Sequence, residues 1–348
     1  MVKINKFFFT LSGENIKLAQ YEIISILELT KIKYINVKLL DRLLIISCEK
    51  NILNYLASRV VLTHNISELL IECPCEEKAI IKALKMIDLD LIVKNKKNFA
   101  VRIQKIGHKS INSEYYEKMI GKIIQNQIKN KISVNLKKPE LLFFGIFVKN
   151  RFVFGINLFQ KRKKNFKLIP LQSRPFFHPS ALNPRLARVM VNLSQIKEDE
   201  IFLDPFCGTG SILIEAYLIG CLNIIGIDIN QKMIKGAKKN LKKFSIEDKN
   251  LLIGDSNHIP LREISAVATD PPYGRSSSTH KKPLPILLEK FFLEISDIIS
   301  KNKFITLALP SHIILSNLID RYNFKIIQDF TQYIHSSLTR KIYIIQKI

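Results

Sequence analysis

Residues 269 to 278 read TDPPYGRSSS, in which a carboxylate is followed by two prolines and an aromatic ring. The run ISAVA just before them is short and apolar, so Asp270 is predicted to lie where a buried strand ends at the edge of a sheet. Pro271 and Pro272 fix the backbone of the turn and remove two amide donors. The turn then presents a carboxylate, a proline carbonyl and the ring of Tyr273 to one small volume.

This volume suits the exocyclic amine of a nucleobase, which is a poor nucleophile because its lone pair is delocalised into the ring. If Asp270 and the carbonyl of Pro271 both accept hydrogen bonds from the NH2, the nitrogen becomes more tetrahedral and its lone pair can attack a methyl carbon. Tyr273 would stack on the base, a contact of about 1–3 kcal/mol, and Asp270 would accept the released proton. The alternative is a plain proline turn with a surface tyrosine.

A second candidate site is the stretch FLDPFCGTGS, which predicts a strand ending at Asp204, a loop and a helix that begins near Ser211. Gly208 and Gly210 would let a ligand approach the backbone of that loop. The third glycine of the dinucleotide pattern G-x-G-x-x-G is replaced by Leu213, which weakens a dinucleotide interpretation.

Two more aspartates follow predicted strands. Asp228 lies 24 residues after Asp204, about where an acidic residue meets ribose hydroxyls, and Asp255 could accept from an adenine amino group. Three carboxylates in one crevice disfavour phosphates. They favour S-adenosylmethionine, which combines ribose hydroxyls, an ammonium group and a positive sulfur without any phosphate. The alternative is that each aspartate only caps a helix.

The chain has 348 residues, enough for two or three domains, and a formal net charge of +24 that indicates a polyanionic partner unless the genome is simply lysine-rich. Residues 1–170 carry +17 of this charge, with 31 basic and 14 acidic side chains. The five cysteines show no zinc-like spacing, so we expect no metal and a reduced, cytoplasmic protein, with Cys207 as a packing residue. The longest apolar stretch near the middle, LLFFGIF, is too short to span a bilayer, and we expect no membrane role.

The elements that position these residues change character along the chain. Short strand-like runs alternate with amphipathic helices up to about residue 159, and the basic segment QKRKKNFKLIPLQSRPFFHPS then has little periodicity. From Asn183, a predicted helix N-cap, strands and helices alternate, which predicts a mostly parallel, doubly wound sheet with an antiparallel pair at its end. We expect an N-terminal domain at 1–58, a second α+β domain at 59–159, a linker at 160–177 and a Rossmann-like domain at 178–348.

A family resemblance rests on these motifs. DPFCGTGSILIEA, GIDIN, GDSNHIPL and DPPYGRSS resemble the archaeal and eukaryotic tRNA guanosine N2-methyltransferases that act on position ten and carry a THUMP domain. FAVRIQKIGHKS, the helix after it and VNLKKPELLFFGIFVKNRFVFGINL resemble THUMP, so that the resemblance covers nearly the whole chain. It implies an α/β, Rossmann-like class I methyltransferase domain preceded by an α+β THUMP domain with a ferredoxin-like N-terminal part.

The resemblance also implies the activity and the partners. One or two methyl groups would pass from S-adenosylmethionine to N2 of a guanosine in tRNA, with THUMP holding the acceptor end. The combined candidates are catalytic Asp270, Pro271, Pro272 and Tyr273; cofactor-binding Asp204, Phe206, Cys207, Gly208, Thr209, Gly210, Asp228, Asp255 and Ser256; and RNA-binding Arg102, Lys105, Lys109, Lys149, Arg275 and Ser276. A small activating subunit and the oligomeric state stay open.

Several alternatives remain at this point. The DPPY turn alone does not separate this reaction from methylation of another tRNA guanosine, of ribosomal RNA or of adenine N6. A non-catalytic THUMP RNA-binding protein is disfavoured because the glycine loop and DPPY are both intact. A nicotinamide dehydrogenase would place pyrophosphate near Gly208 and would make no use of Tyr273.

Overall fold

The computed structural model describes residues 4–107, 110–129, 132–160, 170–247, 250–273, 283–336 and 338–348. The chain forms two compact units. The first unit consists of Met1–Gln20, Ile32–Ala57 and Leu62–Phe166, and the second unit of Tyr21–Lys31, Ser58–Val61 and Lys167–Ile348. None of the helices in these described ranges is long and apolar enough to cross a membrane.

The first unit contains an eight-stranded sheet with the order β2-β3-β1-β4-β8-β7-β5-β6. Its strands are β1 (Ile4–Leu11), β2 (Tyr34–Leu40), β3 (Leu43–Glu49), β4 (Thr63–Pro74), β5 (Asn98–Ile106), β6 (Ser133–Val134), β7 (Leu141–Val148) and β8 (Arg151–Gln160). The helices in this part of the chain are α1 (Ile16–Leu29), α2 (Leu53–Arg59), α3 (Glu77–Lys85), α4 (Leu89–Val93) and α5 (Ser113–Gln127).

Strand β7 shows why this sheet is buried on both faces. Neighbouring residues of a strand point to opposite faces, so Phe143 and Phe144 join two different hydrophobic clusters. Phe143 stacks on Phe154 with ring centroids 5.7 Å apart, and Phe144 stacks on Phe8 at 6.2 Å on the other face. The predicted hairpin of β7 and β8 is confirmed as an antiparallel pair. Strands from the predicted ranges 1–58 and 59–159 also pair directly, through β1 and β4.

The second unit contains a seven-stranded sheet with the order β11-β10-β9-β12-β13-β15-β14. Its strands are β9 (Phe202–Asp204), β10 (Ile224–Asp228), β11 (Leu251–Ile253), β12 (Ile264–Thr269), β13 (Ile299–Pro310), β14 (Phe324–His335) and β15 (Leu338–Lys347). Its helices are α6 (Pro184–Leu193), α7 (Ser211–Leu218), α8 (Gln231–Lys243), α9 (Leu284–Ile298) and α10 (Ser316–Ile319).

This topology confirms the predicted doubly wound sheet. Strands β9 to β13 are parallel, and β15 runs antiparallel to both of its neighbours, β13 and β14. The chain moves outward from β9 to β10 and β11, and then returns to the other side of β9 to form β12 and β13. The carboxyl ends of β9 and β12 therefore flank the switch point where open α/β sheets bind ligands.

Helices α6 and α7 pack together through a buried ion pair. Asn183 caps α6, as predicted, because its side chain accepts a hydrogen bond from the Arg185 amide at 2.8 Å. Further along α6, Arg188 donates through Nε and Nη2 to Glu215 Oε2 on α7, each at 2.8 Å. Burial raises the pKa of Glu215, and the positive charge of Arg188 lowers it.

We expect Glu215→Gln to lower the free energy of unfolding by about 3–5 kcal/mol, because it leaves a buried guanidinium without its counter-charge. Urea denaturation of the intact protein measures this change. Glu289→Gln is the matched control, since Glu289 pairs with Arg321 at 3.6 Å on an exposed surface and should cost less than about 1 kcal/mol. Equal losses in the two variants would contradict the prediction.

Candidate active site

The loop between β9 and α7 uses its two glycines for different reasons. Gly208 has φ +50° and Gly210 has φ +81°, both in the left-handed region that favours glycine. A Cβ on Gly210 would lie 2.7 Å from Cδ1 of Leu241, so this glycine permits close packing of α8. Among the described residues, a Cβ on Gly208 would meet nothing nearer than the Phe206 carbonyl oxygen at 4.0 Å, so the space beside Gly208 is open in this part of the chain.

Asp228 at the end of β10 organises this loop. Its Oδ2 accepts a hydrogen bond from the Gly208 amide at 2.9 Å, and its Oδ1 accepts one from the Asn230 amide at 2.8 Å. Burial raises the pKa of Asp228, and these two amide donors lower it. Each carboxylate oxygen has a further lone pair, so Asp228 can still accept from a ligand hydroxyl.

Asp204 at the end of β9 lies between the loop and β12. Its Oδ1 accepts from the Thr269 hydroxyl at 2.6 Å and from the Phe206 amide at 3.2 Å, and the residue is 1% exposed. The pKa of Asp204 is raised to about 7. Burial is the main cause, the two hydrogen bonds oppose it, and the negative charges of Asp228 and Asp270 add to it. The carboxylates of Asp228 and Asp270 therefore both act electrostatically on Asp204.

The other cofactor candidates surround this core. Cys207 is buried, and burial followed by the charges of Asp204 and Asp228 raises the pKa of its thiol, which agrees with a packing role rather than a nucleophilic one. Thr209 and Ser256 are buried, and Phe206 is half-buried. Asp255 lies two residues after the end of β11 and accepts from the Asn257 amide at 3.0 Å.

The DPPY turn follows β12 directly, and Arg340 contacts its Asp270 and Tyr273 side chains. Tyr273 donates its hydroxyl to Asp270 Oδ1, and Arg340 Nη2 lies 3.1 Å from Asp270 Oδ2. Arg340 Nε also donates to the Tyr273 hydroxyl oxygen at 3.0 Å. Burial raises the pKa of Asp270, whereas Arg340 and then the Tyr273 hydrogen bond lower it. Pro271 is buried and Pro272 half-buried beside them.

Sequence reasoning missed Arg340, Thr269 and Asn240. Arg340 lies in the C-terminal stretch SSLTRKIYII, 70 residues after Asp270, and only its position as a lone arginine near the start of a predicted strand could have indicated it. Thr269 directly precedes the turn, and its hydroxyl joins β12 to Asp204.

Asn240 on α8 connects the cofactor loop to the segment that precedes α6. Its Nδ2 donates to the carbonyls of Thr209 at 3.0 Å and Phe176 at 2.9 Å, and its Oδ1 accepts from the Phe176 amide at 2.9 Å. The Phe176 ring fills the space above Gly236, where a Cβ would lie 2.0 Å from Cδ1 of that ring. Asn240 is fully buried, so these hydrogen bonds fix the loop against α8.

Arg102, an RNA-binding candidate in the first unit, is engaged within the protein. Its Nη1 lies 3.3 Å from Glu117 Oε2 on α5, and its Nη2 donates to the Leu136 carbonyl at 2.9 Å. The side chain is still 39% exposed, so its RNA contact stays a prediction.

The remaining RNA-binding candidates fall into two groups. Lys105 on β5 is exposed and donates to the Ile111 carbonyl at 2.9 Å, and Lys149 is exposed in the turn between β7 and β8. Lys109, Arg275 and Ser276 lie outside the described residues. Among the side chains that are described, no group of three His, Cys, Asp or Glu residues could hold a metal ion.

Solved structures share this architecture over nearly the whole chain. TrmN from Thermus thermophilus has a TM-score of 0.53 and 16% identity over 99% of this chain and 100% of its own. SMU.472, a putative methyltransferase complexed with SAH, has a TM-score of 0.53 and 16% identity over 99% of this chain and 98% of its own. The family model described as RMKL-like, methyltransferase domain matches residues 172–341. A DNA methylase model matches residues 78–239, which end before Asp270. The fold and site together define a Rossmann-like methyltransferase.

Curated relatives narrow this class. The tRNA (guanine(10)-N2)-dimethyltransferase of Methanothermobacter thermautotrophicus is 34% identical over 87% of this chain and 88% of its own length. The chain therefore belongs to the tRNA (guanine(10)-N2)-dimethyltransferase family. Enzymes of the same name from Methanocaldococcus jannaschii and Pyrococcus abyssi are 35% and 36% identical, each over 72% of this chain and over 71% and 74% of their own lengths.

The two loop glycines give a paired prediction. Gly210→Ala should lower the free energy of unfolding by more than about 1 kcal/mol, because it combines left-handed strain with a clash against Leu241. Gly208→Ala should cost about 1–2 kcal/mol of backbone strain and should mainly weaken S-adenosylmethionine binding, since its Cβ would enter the open space. Calorimetric titration and denaturation measure both effects. Unchanged cofactor affinity in Gly208→Ala would argue against a ligand there.

The raised pKa of Asp204 makes stability depend on pH. Between 3.8, the ordinary value of its pKa, and about 7, the folded protein retains a proton that the unfolded chain has lost. The contribution of Asp204 is therefore fully present below pH 3.8 and is lost as the pH rises through about 7. Asp204→Asn should flatten the fall in the free energy of unfolding between these values, measured by denaturation across pH. An unaltered slope would show that Asp204 titrates normally.

Proposed function

We propose that this protein transfers methyl groups from S-adenosylmethionine to N2 of the guanosine at position ten of tRNA. The single observation that carries the proposal is the connection of the DPPY turn to the glycine loop through Thr269 and Asp204, whose hydroxyl and carboxylate lie 2.6 Å apart. This contact joins a base-amine site to a cofactor site. The identity of the substrate is inferred from the archaeal relatives, which are named tRNA (guanine(10)-N2)-dimethyltransferases.

The loop suits a cofactor that carries positive charge and no phosphate. In dinucleotide-binding folds the amides of this loop face a pyrophosphate. Here the Gly208 amide donates instead to the Asp228 carboxylate at 2.9 Å, and Asp204 adds a second acidic group. Asp204 would meet the methionyl end, Asp228 the ribose hydroxyls, and Asp255 with Ser256 the adenine. S-adenosylmethionine bound there supplies a methyl group on a positive sulfur, which becomes a neutral sulfide.

The residues of the turn prepare the amine. Asp270 accepts one N–H of the guanine N2 amine, and the Pro271 carbonyl accepts the other, so that the nitrogen lone pair leaves conjugation. Tyr273 stacks on the base and holds it in line with the methyl group, and such positioning supplies much of the acceleration. As the carbon–nitrogen bond forms, N2 gains positive charge, and Asp270 then takes up the released proton.

This arrangement supports two successive transfers. After the first transfer, the amine keeps one N–H that Asp270 can still accept. After the second transfer no N–H remains, so that the reaction ends at the dimethylated base. The predicted product is therefore N2-methylguanosine followed by N2,N2-dimethylguanosine.

We assign RNA binding to the first unit and to the linker. The excess positive charge of residues 1–170 supports this assignment, because lysines and arginines that meet phosphates add affinity without reading sequence. The resemblance to THUMP over residues 59–159, with a ferredoxin-like domain at 1–58, belongs to the same proposal, as does a cytoplasmic location in keeping with five free cysteines. A small activating subunit would act on the same complex.

Asp270→Ala should lower the rate of methyl transfer by about 10²–10⁴-fold, because both the amine acceptor and the proton acceptor are lost. The assay uses unmodified tRNA transcript, labelled S-adenosylmethionine and mapping of the modified nucleoside. Cofactor affinity should change little, and the control is Asp329→Ala on β14, where the half-buried aspartate pairs with Lys341 at 3.1 Å. Loss of cofactor binding in Asp270→Ala would reassign Asp270 to the cofactor pocket.

The substrate position has its own test within this assay. A transcript with inosine at position ten lacks only the 2-amino group, so it should accept no methyl group there. Methylation of that transcript at the native rate would show that the target is another nucleoside and would favour one of the alternative sites.

A further inference from the structure

Arg340 reaches the DPPY turn from β15, which β13 separates from β12 in the sheet. It lies on β15, where its backbone is paired with Pro310 of β13 on one side and Gln332 of β14 on the other. Its guanidinium contacts Asp270 Oδ2 at 3.1 Å and the Tyr273 hydroxyl at 3.0 Å. The guanidinium carbon also lies 5.6 Å from the centroid of the Tyr273 ring.

The charge balance around Asp270 requires such a partner. The side chains of Asp270 and Arg340 are only 13% and 12% exposed, so that the ion pair is largely removed from water. The negative charge of Asp270 also raises the pKa of Asp204 at the end of β9. Within the described part of the chain, Arg340 supplies the positive charge that opposes burial, and the neutral Tyr273 hydroxyl adds a hydrogen bond. Asp270 can take up the proton of the amine only when it is ionised, so this compensation affects the reaction directly.

The two carboxylate oxygens of Asp270 have different partners. Oδ2 is held by a charged donor, whereas Oδ1 is held by the Tyr273 hydroxyl. Both bonds end on the carboxylate, but only Arg340 is also a charged donor and forms an ion pair, so the neutral hydroxyl is the easier donor to displace. An incoming amine can therefore replace the Tyr273 hydroxyl at Oδ1 while Arg340 keeps Oδ2.

We propose that Arg340 is the positioning residue of the active site. It holds Asp270 as an oriented anion through Oδ2 and anchors Tyr273 through its hydroxyl. Oδ1 is then the oxygen at which the target amine replaces that hydroxyl. This inference rests on the proposed function and adds a role that the DPPY turn does not contain. Arg340 need not touch the base itself. A lysine cannot replace it fully, because one ammonium group does not reproduce the planar fork that contacts two acceptors.

The test compares Arg340→Gln and Arg340→Lys with the native protein in single-turnover methylation of tRNA across pH. Arg340→Gln should lower the transfer rate at least about tenfold at neutral pH and shift the acidic limb of the profile to higher pH, because Asp270 then ionises with more difficulty. Arg340→Lys should keep the acidic limb near its native position, since the positive charge remains, while the rate falls. Cofactor affinity should be unchanged in both variants.

Lys341→Gln is the matched control. Lys341 is the next residue of β15, and its Nζ pairs with Asp329 3.1 Å away. Its side chain points to the opposite face of the sheet, so the control should keep the native transfer rate and pH profile. The positioning role is wrong if Arg340→Gln keeps the transfer rate within twofold of the native rate and keeps the native pH profile. It is also wrong if the rate falls with no shift of the acidic limb.

A second readout needs no RNA substrate and separates this inference from the proposed function. Denaturation should show Arg340→Gln losing more stability at pH 8 than at pH 5, because an unpaired buried carboxylate costs most when ionised. Asp270→Asn in the same chain should restore most of that loss. If the native protein methylates no tRNA but this coupling holds, only the proposed function fails. If the native protein methylates tRNA and the coupling is absent, the inference fails.

Discussion

The structure of the second unit depends on one electrostatic constraint, namely the burial of several carboxylates where parallel strands end. Asp204 and Asp228 are the last residues of β9 and β10, Asp270 follows β12, and burial raises the pKa of each. Such a cluster is tolerated only because every member has donors: two amides at Asp228, a hydroxyl and an amide at Asp204, and a guanidinium with a hydroxyl at Asp270. It is prepared for a cationic ligand.

The same constraint explains how the proposed cofactor and substrate sites are connected. Thr269 is the last residue of β12 and donates to Asp204, and the next residue is Asp270. A displacement of the cofactor loop therefore reaches the catalytic turn through one hydrogen bond and one peptide unit. Arg340 fixes the opposite side of the turn from β15, so that Asp270 is held from two directions. This rigidity suits a reaction whose acceleration comes from positioning.

The sequence predicted the parts of the site that follow from parallel strands, because the carboxyl ends of neighbouring parallel strands meet at one edge of a sheet. Asp204, Asp228 and the DPPY turn were therefore placed correctly by local pattern alone. Arg340 could not be placed in this way, since β15 is inserted antiparallel between β13 and β14 and alternation does not reveal a neighbour 70 residues away. Arg102 shows the same limit, because its contact with Glu117 depends on how α5 packs.

Asn240 has a consequence for the segment before α6. This buried amide binds the carbonyl of Thr209 in the loop and both backbone groups of Phe176. Coupling between two sites is reciprocal in free energy. A small molecule that orders the loop therefore also stabilises the chain around Phe176 through Asn240, and a change that destabilises this segment weakens binding of the small molecule by the same factor.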